Sequence, residues 1–182
     1  MIKYPSFSEF DDNTKNQYLT DLIGFEKEMN KLGFPIYLVY GTLLGAIREK
    51  DFIPHDTDID IAYLSSCNTK EKVYKEREQL IKQLDSLQLL RQYKTGGIKI
   101  KYGISKFDMW TSWVIGNDYY LLPYRFIVMC SKELIFPLKK IKFRNEEFFV
   151  PLQSEKLLNI FYYDWEHVIT KDKNYIKVNK EK

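Results

Sequence analysis

Apolar positions along this chain change period several times, and each change marks an element. Between Asp12 and Leu32, the residues Tyr18, Leu19, Leu22, Ile23, Phe25, Met29 and Leu32 recur at helical spacing, and Gly33 stops the run. After Pro35, the unbroken Ile36-Tyr37-Leu38-Val39-Tyr40 reads as a buried strand that runs into Gly41. Thr42 to Arg48 then reads as a short helix. The alternation Asp58-Ile59-Asp60-Ile61 predicts a strand with isoleucines on one face and both carboxylates on the other. Asn68-Thr69 caps a predicted helix that reaches about Leu90, striped by Val73, Leu80, Ile81, Leu84 and Leu87. Gly96-Gly97 opens a hairpin-like series of strands, Ile98 to Tyr102, Ser105 to Ile115 and Tyr119 to Pro123, with turns at Gly103 and Gly116-Asn117-Asp118. A strand pair over Phe136 to Val150, turning at Arg144-Asn145-Glu146, leads to Pro151 and a helix to about Tyr163. Helices grouped around antiparallel strands predict an α+β fold.

Composition narrows this picture. With 182 residues, 45% hydrophobic and 16% aromatic, the chain can fill one core but hardly two, so we expect one domain over residues 1–170 and a polar tail over 171–182. A net charge of +3, without a long basic tract, does not call for a nucleic-acid partner. The late basic runs, Lys139 to Arg144 and Lys171 to Lys182, read as solvated faces, with peripheral contact to a membrane surface left open. Cys67 and Cys130 are far apart and lack metal-site spacing, which argues against zinc or a disulfide framework. No stretch approaches the ~20 apolar residues of a membrane span, and the N-terminus lacks the apolar core of a secretory signal. We therefore expect a cytoplasmic protein, able to work at the inner face of the membrane. Only His55 and His167 are present, which leaves little room for histidine-based nucleophilic triads.

The acidic strand carries the candidate chemistry. Two carboxylates ~6.5 Å apart on one strand face repel by about 0.6 kcal/mol in water but about 2.5 kcal/mol at the effective dielectric of a cleft. A cleft holding Asp58 and Asp60 therefore calls for a cation, and hard oxygen ligands suit Mg²⁺ or Mn²⁺. A half-solvated edge strand would show the same D-I-D-I pattern. Two neighbours in sequence favour the site: the Gly41-Thr42 turn after an apolar strand, and Asp108 on a later apolar strand, opposite in face to Phe107 and Met109. Gly41-Thr42 at a helix start is a candidate anion seat. Arg48 suits a helix-end salt bridge, and His55 packing where the strand begins.

These residues carry a resemblance. GTLLGAIREKDFIPHDTDIDI is similar to the signature of the LicD family, which includes the fukutin-related proteins, and FPLKKIKFRNEEFFVPLQSEKLLNIFYYDW resembles that family's closing block. Phe107-Asp108 is similar to its second acidic strand, so the likeness runs from about residue 36 to 165. It departs at His55, where the family commonly has Trp; at Thr57, which interrupts a run of acids; at Glu49, a frequent His; and at Tyr162-Tyr163, usually Tyr-Gly.

The resemblance implies a nucleotidyltransferase-like mixed β-sheet flanked by helices. It also implies metal-dependent transfer of a substituted phosphate, such as phosphocholine, phosphoethanolamine or a polyol phosphate. The donor would be a CDP-linked alcohol such as CDP-choline, and the acceptor a hydroxyl of a cell-surface glycan or lipid-linked oligosaccharide. Under it, Asp58, Asp60 and Asp108 are the metal ligands and catalytic acids, with Asp108 a candidate base and Asp56 behind them. Gly41, Thr42, Arg48 and His55 would hold the donor. Two rivals stay open: a nucleotidyltransferase that moves an NMP group from an NTP, and a non-catalytic glycan-binding domain.

Overall fold

The computed structural model describes residues 5–93, 97–122, 128–162 and 164–167. The expected polar tail lies outside them. Helix α1 (Asp12–Lys31) is capped by Asp11, whose side chain accepts the Thr14 N–H at 2.8 Å, and Gly33 ends it with φ +86°. Strand β1 (Ile36–Leu38) follows, then α2 (Tyr40–Arg48), β2 (Ile59–Leu64), α3 (Lys70–Ser86) and β3 (Leu90–Tyr93). Strands β4 (Gly97–Tyr102), β5 (Ser105–Ile115), β6 (Asp118–Leu121) and β7 (Val128–Ser131) complete a seven-stranded mixed sheet. Its main path is β1-β2-β5-β4-β3, with β2 and β5 parallel and the other pairs antiparallel. The long β5 takes β4 along its first part and β6 along its second. A separate hairpin of β8 (Lys139–Phe143) and β9 (Glu146–Val150) precedes α4 (Ser154–Phe161). The fold is α+β.

One face of the sheet explains the other. Ile59, Ile61, Ile98, Ile100, Phe107 and Met109 are buried to within about one per cent of their surface, and Phe25 of α1 lies against Phe107 with ring centroids 5.0 Å apart. Each such side chain contributes about 1.5–3 kcal/mol by leaving water. Strand alternation then forces Asp60, Lys99 and Asp108 onto the opposite face. A one-residue slip of β2 along β5 would drive charges under α1, so the apolar set fixes the register of the polar one.

Several boundaries differ from the sequence expectation. The first strand stops at Leu38, and the following helix already begins at Tyr40, which has φ +43° after an extended Val39. The helix expected to reach Leu90 ends at Ser86. Gln88, at φ +58°, closes it, the Leu89 N–H donates to the Leu84 carbonyl, and the chain enters β3. Leu87, Leu89 and Leu90 continue the helical spacing across that reversal, so periodicity cannot see it. The last helix starts at Ser154 rather than Pro151, whose carbonyl accepts the Ser154 hydroxyl. Strand β7 was not anticipated: only four residues long, it pairs with β6 alone.

Candidate active site at the start of helix α2

The site is built on one rung of the sheet. Asp60 on β2 stands beside Asp108 on β5, and Asp108 stands beside Lys99 on β4. Neighbouring strands are about 4.8 Å apart, so the three side chains form a row. Asp58 lies two residues before Asp60, just ahead of β2, and interacts with both Asp56 and Asp108. The sequence thus placed Asp58, Asp60 and Asp108 on one face, and the structure brings all three together. Lys99 was not anticipated. Its ammonium contacts Asp108 Oδ2 and lies 3.9 Å from Asp58 Oδ2. The signal was present in the alternation Ile98-Lys99-Ile100, but only the strand register aligns it with Asp108.

Helix α2 meets this row end-on. The Gly41 N–H donates to Asp60 Oδ2 at 3.0 Å, Trp110 Nε1–H donates to Asp60 Oδ1 at 3.2 Å, and Thr42 Oγ1 accepts the Asp60 N–H at 2.8 Å. The anion at this helix start is therefore the protein's own Asp60. A β-carbon on Gly41 would collide with Asp56 Oδ2 and stand 3.1 Å from Asp60 Oδ2, so glycine is what lets the carboxylates close on the helix. Tyr40 packs on Trp110 and Phe161, with centroids 5.3 and 4.6 Å apart, and joins the site to α4.

His55 and Asp56 sit on the loop between α2 and β2. The N-terminal segment holds that loop: the Phe7 N–H donates to the Asp56 carbonyl at 2.9 Å, the Ser8 N–H donates to the Pro54 carbonyl at 2.7 Å, and the Phe7 ring stacks on Phe52. His55 is half-buried there. Arg48 is at the other end of α2, roughly 10 Å along the axis from Gly41. It donates to Glu49 Oε1 at 2.7 Å and to the Trp165 carbonyl at 2.6 Å, fastening the chain after α4 to α2. Tyr119 and Trp113 are buried, Tyr119 bonded to the Tyr37 hydroxyl and Trp113 stacked on Tyr120.

Burial and crowding make the acids reluctant to ionise. Burial, then the neighbouring Asp56, push Asp58 up to about 6, with Lys99 pulling the other way. Burial and Asp58 likewise push Asp108 up to about 6. Asp60 is held well above the usual carboxylate range by burial and by Asp58, Asp56 and Asp108. Lys99 keeps its proton more firmly than an ordinary lysine: burial opposes the charge, but Asp108 and Asp58 outweigh it.

Among the described residues, no three His, Cys, Asp or Glu side chains are gathered into a ready-made metal cage. The donor set nonetheless fits a hard dication. Its donors are all oxygen, its carboxylates outnumber the ammonium groups of Lys99 and Lys106 that act on them, and burial with mutual repulsion raises the pKa values of the acids.

Among the described residues no helix is long and apolar enough to cross a membrane. Cys67 and Cys130 are free cysteines, both half-buried. No curated protein matches the chain. The family model described as "LicD/FKTN/FKRP, nucleotidyltransferase domain" matches residues 33–153, which contain α2, the acidic loop, β2 and the Asp108 strand. The chain belongs to the LicD family, and is in general terms a transferase of the phosphotransferase kind that modifies glycans.

Proposed function

We propose that this chain transfers a substituted phosphate, such as phosphocholine, phosphoethanolamine or a polyol phosphate, from a CDP-linked donor to a hydroxyl of a cell-surface glycan. The observation that carries the reading is the rung Asp60-Asp108, with Asp58 beside it, at the N-terminus of α2. Asp58, Asp60 and Asp108 would hold Mg²⁺ or Mn²⁺, which when bound supplies charge neutralisation at the donor's diphosphate.

The chain's own residues account for the remaining requirements. Gly41 and Trp110 orient the Asp60 carboxylate through two N–H donors, so it need not reorganise as the reaction proceeds. Asp108 is the base that would take the proton from the acceptor hydroxyl. As that hydroxyl oxygen bonds to phosphorus, the bond from phosphorus to the CMP oxygen breaks and CMP leaves with the electron pair. His55, on the loop that Phe7 and Ser8 tether, would contact the donor. Gly41 and Thr42 serve the donor indirectly, by fixing Asp60, and Arg48 serves it by holding the segment after α4 against α2.

Phosphorus NMR tests this directly. With Mg²⁺ present, CDP-choline, CDP-ethanolamine, CDP-glycerol and CDP-ribitol are each compared with the four NTPs. Release of CMP from one CDP-alcohol is the expected result. Pyrophosphate released from an NTP would show nucleotidyl transfer instead, and no turnover of any donor would favour a glycan-binding role.

A further inference from the structure

Lys99 is the one member of the acidic rung with the opposite charge. It stands directly across from Asp108 on the adjacent strand, its ammonium occupies Asp108 Oδ2, and it reaches within 3.9 Å of Asp58 Oδ2. Ile98 and Ile100 on either side of it are buried in the opposite face, so its backbone is fixed while its side chain remains 49% exposed. The stem can therefore leave the acids without unpacking anything. An oxygen engaged by an ammonium is unavailable to a dication, and two cations on the same carboxylate repel. We propose that Lys99 is a built-in cation: it holds Asp108 and Asp58 together while no metal is bound, yields Asp108 to an incoming dication, and then turns its ammonium onto the donor's diphosphate. The first step rests on the contacts alone; the second rests on the metal-dependent reading above, and the last on phosphate transfer. Lysine suits the exchange because its charge is compact and its four-carbon stem flexible, whereas arginine would grip a carboxylate with two parallel bonds.

Calorimetric titration of MnCl₂ into the donor-free full chain, as wild type, Lys99→Met and Lys99→Arg, separates the steps. Lys99→Met should bind Mn²⁺ about ten-fold more tightly than wild type, the order expected for removing one adjacent competing charge, and Lys99→Arg should bind it more weakly. CDP, the part shared by every CDP-alcohol, is then titrated into the Mn²⁺-loaded proteins. Lys99→Met should bind it about ten-fold more weakly, the order of one lost charged contact to phosphate. Equal or weaker Mn²⁺ binding by Lys99→Met would overturn the exchange while leaving the metal-dependent reading in place, and unchanged CDP affinity would overturn the last step. Failure of both wild type and Lys99→Met to bind Mn²⁺ would remove the metal-dependent reading and the exchange with it. Reductive methylation of the wild type provides a readout without substitution: Mg²⁺ should accelerate labelling of Lys99 several-fold relative to other lysines, and slower or unchanged labelling would contradict the exchange.

Discussion

The two ends of helix α2 treat charge in opposite ways. At its C-terminal end, Arg48 pairs with Glu49, and Arg144 of the β8–β9 turn reaches Asp51 at 2.6 Å and Asp12 at 2.8 Å, so each cation has an acid in contact. The hydrogen bond from Arg144, and then its charge, hold Asp12 below the usual carboxylate range. At the N-terminal end, Asp56, Asp58, Asp60 and Asp108 crowd one surface with Lys99 beside them, and burial and mutual repulsion push Asp58 and Asp108 up to about 6. In the first arrangement Arg48 and Arg144 are matched by acids of the fold itself. The second is electrostatically unfinished, and unfinished charge that a fold has gone to the trouble of registering across three strands points to a ligand of opposite sign.

The contrast breaks most visibly in Asp60→Asn. Turnover of the productive CDP-alcohol should fall by at least about 10³-fold, the scale of losing a preorganised group at the reacting centre. The melting temperature should change little, because relief of crowding is offset by the acceptor that asparagine withdraws from the Gly41 or Trp110 N–H. Gly41→Ala should lower the free energy of unfolding by about 1–3 kcal/mol, as overpacking does, and reduce turnover as well, since the added carbon pushes Asp56 and Asp60 out of place; urea denaturation and the same assay measure both. Asp51→Asn at the finished end should behave in reverse. It should cost about 1–2 kcal/mol, a modest figure because Asp51 is one-third exposed, and leave turnover nearly unchanged. Full activity in Asp60→Asn, or none in Asp51→Asn, would erase the distinction between the ends.

The smallest effect is in pH. A carboxyl whose pKa is higher folded than unfolded binds more protons when folded, so stability is lost as pH rises between the two values. For Asp58 and Asp108 that window runs from about 4 to about 6. In metal-free buffer, the stability of Asp108→Asn relative to wild type should therefore increase across that window, as read from urea denaturation at each pH. A relative stability that decreases with pH would mean that Lys99 outweighs burial and holds Asp108 low.

Much of the fold and part of the site could be read from the chain. Alternation within Asp58-Ile59-Asp60-Ile61 and Lys106-Phe107-Asp108-Met109 was enough to aim three acids at one face, because strand period is a local property. What stayed hidden depends on contacts between distant segments. Lys99 meets Asp108 only through the β4–β5 register, and Phe7 secures the acidic loop across some fifty residues of chain. Arg48 could be a phosphate ligand or a structural pair from sequence alone; its bond to the Trp165 carbonyl shows the structural partner. Gly41-Thr42 looked like a seat for a foreign anion and instead receives Asp60, an outcome set by how closely α2 approaches β2.

The central claim, that the N-terminal end of α2 is an acidic site built to receive a dication, is tested most directly by thermal melts of wild type and Asp60→Asn with and without Mg²⁺. A ligand at a hundred times its dissociation constant adds about 2.7 kcal/mol to the folded state, which for a chain of this size is roughly 5–10 °C in melting temperature. Wild type should rise by that order, and Asp60→Asn little or not at all. No rise in wild type, or an equal rise in both, would contradict the claim.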